Sequence, residues 1–269
     1  LAAAALNERR QRQGAAMAGT YNGSMLNVAA YHFTPVEAPD ALADQLRQDA
    51  TRAGLKGTIL VAGEGLNLFL AGADEAVRGF VQALRGLPGF DGLQARYSHS
   101  AGVPFARLKV KVKPEIISFR HPDATPLANG ERAPAVDPAT LARWLKRGGR
   151  DDAGRPVVLL DTRNAQEVEH GTFAGALTLP ITRFTELPDA LVPHREALRD
   201  ATVVSFCTGG IRCEKAALWM RQDGMDNVLQ LDGGILGYFE HVGGLGYDGS
   251  CFVFDERVAL DPGLRPLAG

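Results

Sequence analysis

The run Thr202-Val203-Val204-Ser205-Phe206, followed at once by Cys207-Thr208-Gly209-Gly210-Ile211-Arg212, constrains this chain more than any other feature. The first five residues read as a strand ending at Cys207. The helix that follows, over 213–222, sets Cys213, Ala216, Ala217 and Met220 on one face. The same alternation recurs on both sides. Val157-Val158-Leu159-Leu160 reads as a buried strand ending at Asp161, 176–179 and 228–231 as two more, and Gly233-Gly234 as the opening of a last helix. Such alternation implies a parallel sheet with helices on its faces. Ligands bind such sheets beyond the carboxyl ends of the strands, where a helix amino terminus offers free N–H groups and positive potential. Cys207 stands in that field, a setting that lowers a thiol pKa from about 8.5 into the range of roughly 3.5 to 7.5. Gly209 and Gly210 let the backbone curl its N–H groups inward as an anion nest, and Arg212 closes the loop with a fixed charge. The structural alternative, a packed cysteine beside a turn, needs neither the Gly-Gly pair nor the arginine. Cys213 reads as a core thiol, with a resolving role for Cys207 as its alternative.

At 269 residues the chain can build two cores of ordinary size. The first is expected over 25–119. Leu26–Phe33 reads as a strand, Asp40 as the cap of a helix through Ala53, 57–61 and 66–70 as strands around Gly63-Glu64-Gly65, and Asp74 as the opening of a helix carrying Val77, Phe80, Val81 and Leu84. With strands at 96–98 and 108–112, the β-α-β-β-α-β order suits a ferredoxin-like (acylphosphatase-like) α+β sandwich. Residues 120–136, rich in Pro, Gly and polar side chains, read as a linker. Asp137-Pro138 starts the second, α/β domain over 137–245, and 246–269 follow as a carboxyl-terminal segment. Residues 1–24 read as an unfolded leader, since Met25 directly precedes the first strand.

No apolar run approaches the roughly 20 residues that span a bilayer, so no membrane role is expected. Cys207, Cys213 and Cys251 are odd in number and form no Cys-x-x-Cys pair, which points to a reducing cytoplasm. The six histidines lack ligand spacing, so no metal site is expected. Gly63-Glu64-Gly65 lacks the lysine and following helix of a phosphate loop and reads as a tight hairpin. With a net charge of −2, any nucleic-acid binding must be local. The local candidate is Arg107, Lys109, Lys111 and Lys113, alternating with Leu108, Val110 and Val112. On a strand this puts four charges on one side and three apolar groups toward the core, a stripe fit for a phosphate backbone or simply a solvated face.

The second half resembles a rhodanese domain. The resemblance rests on Asp161-Thr162-Arg163, on His170-Gly171-Thr172-Phe173-Ala174-Gly175-Ala176 leading to Leu179-Pro180, and on the loop 207–212. That loop has the six residues of the sulfur-handling rhodaneses, one fewer than in the related phosphatases. The resemblance implies that Cys207 accepts sulfane sulfur as a persulfide, with Thr208, Gly209, Gly210, Ile211 and Arg212 as the anion-binding loop. Asp161 and Arg163 are expected to be structural.

Across both halves, Tyr31-His32-Phe33, Gly63-Glu64-Gly65-Leu66-Asn67, Leu108-Lys109-Val110-Lys111, the loop continued through Cys213-Glu214-Lys215-Ala216, Asp232-Gly233-Gly234-Ile235 and Phe252-Val253-Phe254-Asp255-Glu256-Arg257 are similar to the rhodanese-containing tRNA uridine hydroxylases. This implies formation of 5-hydroxyuridine at the wobble position, with tRNA as partner and molecular oxygen as co-substrate. No binding motif for a metal, flavin or other cofactor is visible. Many members of that family carry a cysteine-rich extension after the last motif, and this chain reads as a short form. The alternative is sulfur transfer through a Cys207 persulfide, fed by thiosulfate or a donor protein; a third reading is an RNA- or partner-binding adaptor. The oligomeric state is not legible.

Overall fold

The computed structural model describes residues 24–267, so the leader expected over 1–24 lies outside the described residues except for Ser24. Among them, the first domain runs β1 (Met25–Phe33), α1 (Pro39–Arg52), β2 (Lys56–Ala62), β3 (Gly65–Gly72), α2 (Asp74–Arg85), β4 (Gln94–Ser100) and β5 (Leu108–Val112). The sheet order is β4-β1-β3-β2-β5. β1 is antiparallel to β3 and β4, β2 antiparallel to β3, and β5 joins the edge parallel to β2. The first four strands have the connectivity of the ferredoxin-like sandwich, and β5 extends it. α1 starts at Pro39 with Ala38 in the capping position. Asp40, expected as the cap, instead lies in the first turn, where its charge complements the helix dipole.

Period-two alternation decides which face of this sheet sees what. Leu26, Val28 and Ala30 of β1, with Leu66, Leu68 and Leu70 of β3, pack beneath Leu46, Val77 and Phe80 of the two helices. The other face carries Ala29, Tyr31 and Phe33, which pack against the second domain. One sheet thus serves as a core on one side and an interdomain wall on the other.

The second domain contains β6 (Ala135–Val136), α3 (Pro138–Lys146), β7 (Val157–Asp161), β8 (Gly171–Phe173), β9 (Leu177–Thr178), β10 (Thr202–Phe206), α4 (Ile211–Gln222), β11 (Val228–Leu231) and α5 (Gly234–Val242), followed by β12 (Tyr247–Gly249), β13 (Cys251–Phe252) and β14 (Ala259–Leu260). Its main sheet has the order β6-β11-β10-β7-β9 with every neighbouring pair parallel. β10 is central and buried throughout, sending Val203 to one core cluster and Val204 and Phe206 to the other. α3 begins as its sequence dictates, with the Asp137 carboxylate accepting the Thr140 N–H at 2.9 Å.

Two further expectations need correction. Residues 120–136, expected as a linker, are built into the second domain: Ala124 and Ala133 are buried in its core, 126–129 is a helical turn, and β6 is an edge strand of its sheet. α4 begins at Ile211, two residues before the expected start, with Gly210 in the capping position. The carboxyl-terminal segment packs onto the same domain: β12 pairs with β8, and Cys251, Val253 and Leu260 join its core. No helix among the described residues is long and apolar enough to cross a membrane.

The two domains are joined through a buried charge pair. Lys215, on the first turn of α4 and fully buried, donates to the Glu64 carboxylate at 2.8 Å and lies 3.9 Å from that of Glu115. Glu64 stands at the β2–β3 hairpin and also accepts the Ile116 N–H at 2.8 Å. Removing one partner of such a pair strands a buried charge. Glu64→Ala is therefore expected to lower the unfolding free energy by about 3 kcal/mol in urea denaturation, and the double change Glu64→Leu with Lys215→Met to recover most of that loss.

Candidate active site

Cys207 lies at the end of β10 and is almost fully buried. Two elements shape its loop. The first turn of α5 fixes the loop from behind: the Ile235 N–H donates to the Cys207 carbonyl at 2.9 Å and the Leu236 N–H to that of Thr208 at 3.0 Å. With its carbonyls tied back, the loop turns an amide toward the sulfur, and the Gly210 N–H reaches Sγ at 3.2 Å. Gly234 makes this approach feasible, because a Cβ there would come within 2.5 Å of the Cys207 carbonyl oxygen. Gly210 is required for two reasons: its φ is +107°, and a Cβ would meet the Tyr31 hydroxyl at 2.9 Å.

Burial pushes the Cys207 thiol up. A hydrogen bond with Cys213, the charge of Arg212 and the amides of Cys213 and Gly210 outweigh it and bring the pKa down to about 5. Cys213 shifts the other way, held well above the ordinary thiol range by burial and by the negative charge of Cys207. The sulfurs are 3.8 Å apart, and Cys213 donates to the Gly210 carbonyl at 2.9 Å. The pair therefore divides into a thiolate facing the cleft and a neutral thiol behind it.

Arg212 does not stand free. Its two terminal nitrogens bind the fully buried Glu167 carboxylate at 2.5 and 2.7 Å, so it offers a fixed field rather than an open anion fork. Asp161 and Arg163 form a second buried pair. Arg163 contacts Asp161 at 2.6 Å and the Gly171 carbonyl at 2.6 Å, and Thr172 donates to Asp161 at 2.8 Å. This cluster ties β7 to β8 beneath the loop. Cys251, which sequence reasoning left without a role, is buried, with its thiol pushed up to about 12 by burial.

Above the loop, the first domain supplies a roof. Tyr31 donates to Glu214 at 3.3 Å, and Glu214, fully buried, also accepts from Arg132 at 2.6 Å and from the Ala133 N–H at 3.2 Å. Arg96 of β4 pairs with Glu240 of α5 at 2.9 Å and lies across Gly233. Between roof and loop is a cleft of about 860 Å³, with Cys207, Thr208, Gly209, Ile211 and Arg212 on one wall and Tyr31, Phe33, Asn67 and Phe69 on the other. Phe254, 49% exposed, projects into the same space from the carboxyl-terminal segment, its ring beneath the Arg212 guanidinium.

The basic stripe is only partly at this site. Arg107, Lys109, Lys111 and Lys113 are exposed, but only Lys113 lines the cleft; the other three run away from it along the sheet edge. Val112, expected in the core, is 39% exposed because β5 is an edge strand. Sequence reasoning missed Glu167, Arg132, Arg96 and the partners of Glu214 and Lys215. One signal was local: Glu214 and Lys215 are charges on a helix that has to be covered on both sides. Arg132 and Arg96 act across the fold and leave no local pattern.

Because the folded-state pKa is lowered, the thiolate persists at every pH above about 5 and is lost below it. Alkylation of Cys207 by iodoacetamide is expected to rise through that pH and then level, while Cys213 and Cys251 in the folded protein stay unmodified to pH 9. In Arg212→Met the midpoint is expected to move up by about one unit or more, read by mass spectrometry of the alkylated peptide.

Residues 25–116 match the UPF0176 acylphosphatase like domain and residues 138–241 match the rhodanese-like domain. A tRNA uridine(34) hydroxylase of Xanthomonas campestris pv. campestris (strain B100) is 67% identical over 241 residues, covering 90% of this chain and 94% of the relative. The protein of the same name from Xanthomonas euvesicatoria pv. vesicatoria (strain 85-10) is 66% identical over 243 residues, covering 90% and 97%. That of Xylella fastidiosa (strain 9a5c) is 63% identical over 243 residues, covering 90% and 93%. Identity of 63–67% along nearly the full length of these relatives leads to one conclusion: the chain belongs to the tRNA uridine(34) hydroxylase family.

Proposed function

We propose that this protein hydroxylates uridine 34 of tRNA at C5, with molecular oxygen as co-substrate, and that the reaction depends on Cys207. The observation that carries this reading is an activated thiolate on the wall of an interdomain cleft whose facing wall is aromatic. C6 of uracil is conjugated to a carbonyl and accepts a soft nucleophile. Addition of Sγ there forms a C–S bond and moves electron density to C5, the position to be hydroxylated. The low pKa of Cys207 keeps this nucleophile available at neutral pH.

Binding follows from the same geometry. Tyr31, Phe33, Phe69 and Phe254 offer ring faces and edges to an unstacked base, as proteins that read single-stranded RNA loops do. Lys113 and Arg96 put positive charge at the cleft, and Lys111, Lys109 and Arg107 extend it along an exposed edge where the anticodon-arm phosphates would run. A tRNA substrate implies a cytoplasmic site of action. Sulfur transfer from thiosulfate or a donor protein is not favoured by the relatives, which are named for hydroxylation.

Deletion of the gene is expected to lower wobble 5-hydroxyuridine, measured by nucleoside mass spectrometry in a strain without a redundant pathway. Wild type should restore it and Cys207→Ser should not; unchanged 5-hydroxyuridine in the deletion strain would refute the reading. Lys109→Glu with Lys111→Glu is expected to weaken tRNA binding and flatten its dependence on log salt concentration by about two phosphate contacts. An unaltered salt slope would reduce the stripe to a solvated face.

A further inference from the structure

Hydroxylation by molecular oxygen leaves an electron deficit that the substrate cannot cover. One oxygen atom enters the base and the other leaves as water, so two electrons beyond those given up by the C–H bond have to come from another group. The site contains a two-electron donor: Cys207 and Cys213, both buried, with their sulfurs 3.8 Å apart. A disulfide requires about 2.05 Å, an approach of under 2 Å. The sulfurs are already in van der Waals contact, and the loop between them contains Gly209, beside which a Cβ would find open space.

We infer that Cys207 and Cys213 form a dithiol that supplies the two electrons for oxygen reduction and ends each turnover as a Cys207–Cys213 disulfide. This rests on the hydroxylase reading given above. Oxygen adds at C5 of the Cys207 adduct. Loss of the C5 proton and departure of Sγ from C6 restore the ring and leave a hydroperoxide on C5. The Cys207 thiolate then attacks the distal oxygen. The S–O bond forms, the O–O bond breaks, and the base keeps the proximal oxygen as its hydroxyl. Cys207 now carries the distal oxygen as a sulfenic acid; the Cys213 sulfur displaces that hydroxyl as water, its own proton accompanying the leaving group, and the S–S bond closes. The sum is uridine, oxygen and two thiols giving 5-hydroxyuridine, water and one disulfide. A dithiol or glutathione-type reductant from solution reopens the pair.

The two cysteines are placed for these different tasks. Cys207 lines the cleft and meets the base, whereas Cys213 lies behind it, its sulfur 2.9 Å from the Gly210 carbonyl oxygen. A neutral thiol in that position is shielded from direct oxidation and reacts only with the sulfur in front of it. Cys213 sits in the first turn of α4, adjoining the loop, so the remaining approach falls on the loop and the start of that helix.

The test is a stoichiometry. Wild-type protein is reduced, desalted under anaerobic conditions, mixed with tRNA bearing unmodified uridine 34, and exposed to air with no reductant. 5-Hydroxyuridine and the thiol state of each cysteine are read by mass spectrometry after denaturation in N-ethylmaleimide. The expected result is product limited to one per chain, one Cys207–Cys213 disulfide per product, and release of the limit by dithiothreitol. In Cys213→Ser and Cys213→Ala, dimedone should trap Cys207 as sulfenic acid where the wild type forms the disulfide. Product exceeding one per chain without reductant, or product formed while Cys213 is recovered fully alkylated, would overturn the inference and leave the hydroxylase reading standing. Absence of product even with dithiothreitol would overturn both.

Discussion

The site depends on a single helical turn whose charges are buried from both sides. Arg212 closes the active loop, Glu214 and Lys215 follow it, and each is committed to a different part of the molecule. Arg212 binds Glu167 within the second domain, Glu214 binds Arg132 and Tyr31, and Lys215 crosses to Glu64 of the first-domain hairpin. Buried ion pairs are a poor source of net stability, because desolvation consumes most of the Coulombic gain. What they supply here is direction. A hydrophobic contact would tolerate sliding of one domain over the other, whereas a buried lysine accepts few geometries. The arrangement holds the aromatic face of a ferredoxin-like sheet over one cysteine.

That constraint also explains how so buried a thiol becomes a thiolate. Burial by itself opposes ionisation, and the loop answers with the Gly210 amide, the Cys213 thiol and the fixed charge of Arg212. Arg212 can be fixed only because Glu167 holds it. The loop can present an amide to the sulfur only because α5 takes up the carbonyls of Cys207 and Thr208. The Asp232-Gly233-Gly234-Ile235 segment thus serves the nucleophile by fixing its loop from behind. Glycine is needed there for clearance from the loop at Gly234 and from Arg96 at Gly233.

Much of the frame was legible in the sequence where local physics decides structure. β10 and β11 have the expected limits because short, mostly apolar runs bounded by polar residues and turns leave few alternatives. Asp137-Pro138 caps α3 as read, and the four apolar residues assigned to α2 are the four it buries. Legibility failed where partners are distant along the chain. Lys215 and Glu64 are 151 positions apart and Arg132 and Glu214 are 82 apart, and nothing in either neighbourhood announces the other. Residues 120–136 read as a linker because three prolines, a glycine and several charged and polar residues interrupt any apolar pattern. Their structural content is a few isolated apolar anchors and a two-residue strand, too short for any periodicity to show.

The central claim is that uridine 34 enters the cleft between the two domains and meets Cys207 there. Its most direct test is photocrosslinking of an anticodon stem-loop carrying 4-thiouridine at position 34, with the attachment site mapped by mass spectrometry. Crosslinks are expected on peptides that contain Tyr31, Phe33 or Phe254. Crosslinks confined to the outer surfaces of α1 and α2, on the far side of the first-domain sheet, would contradict it.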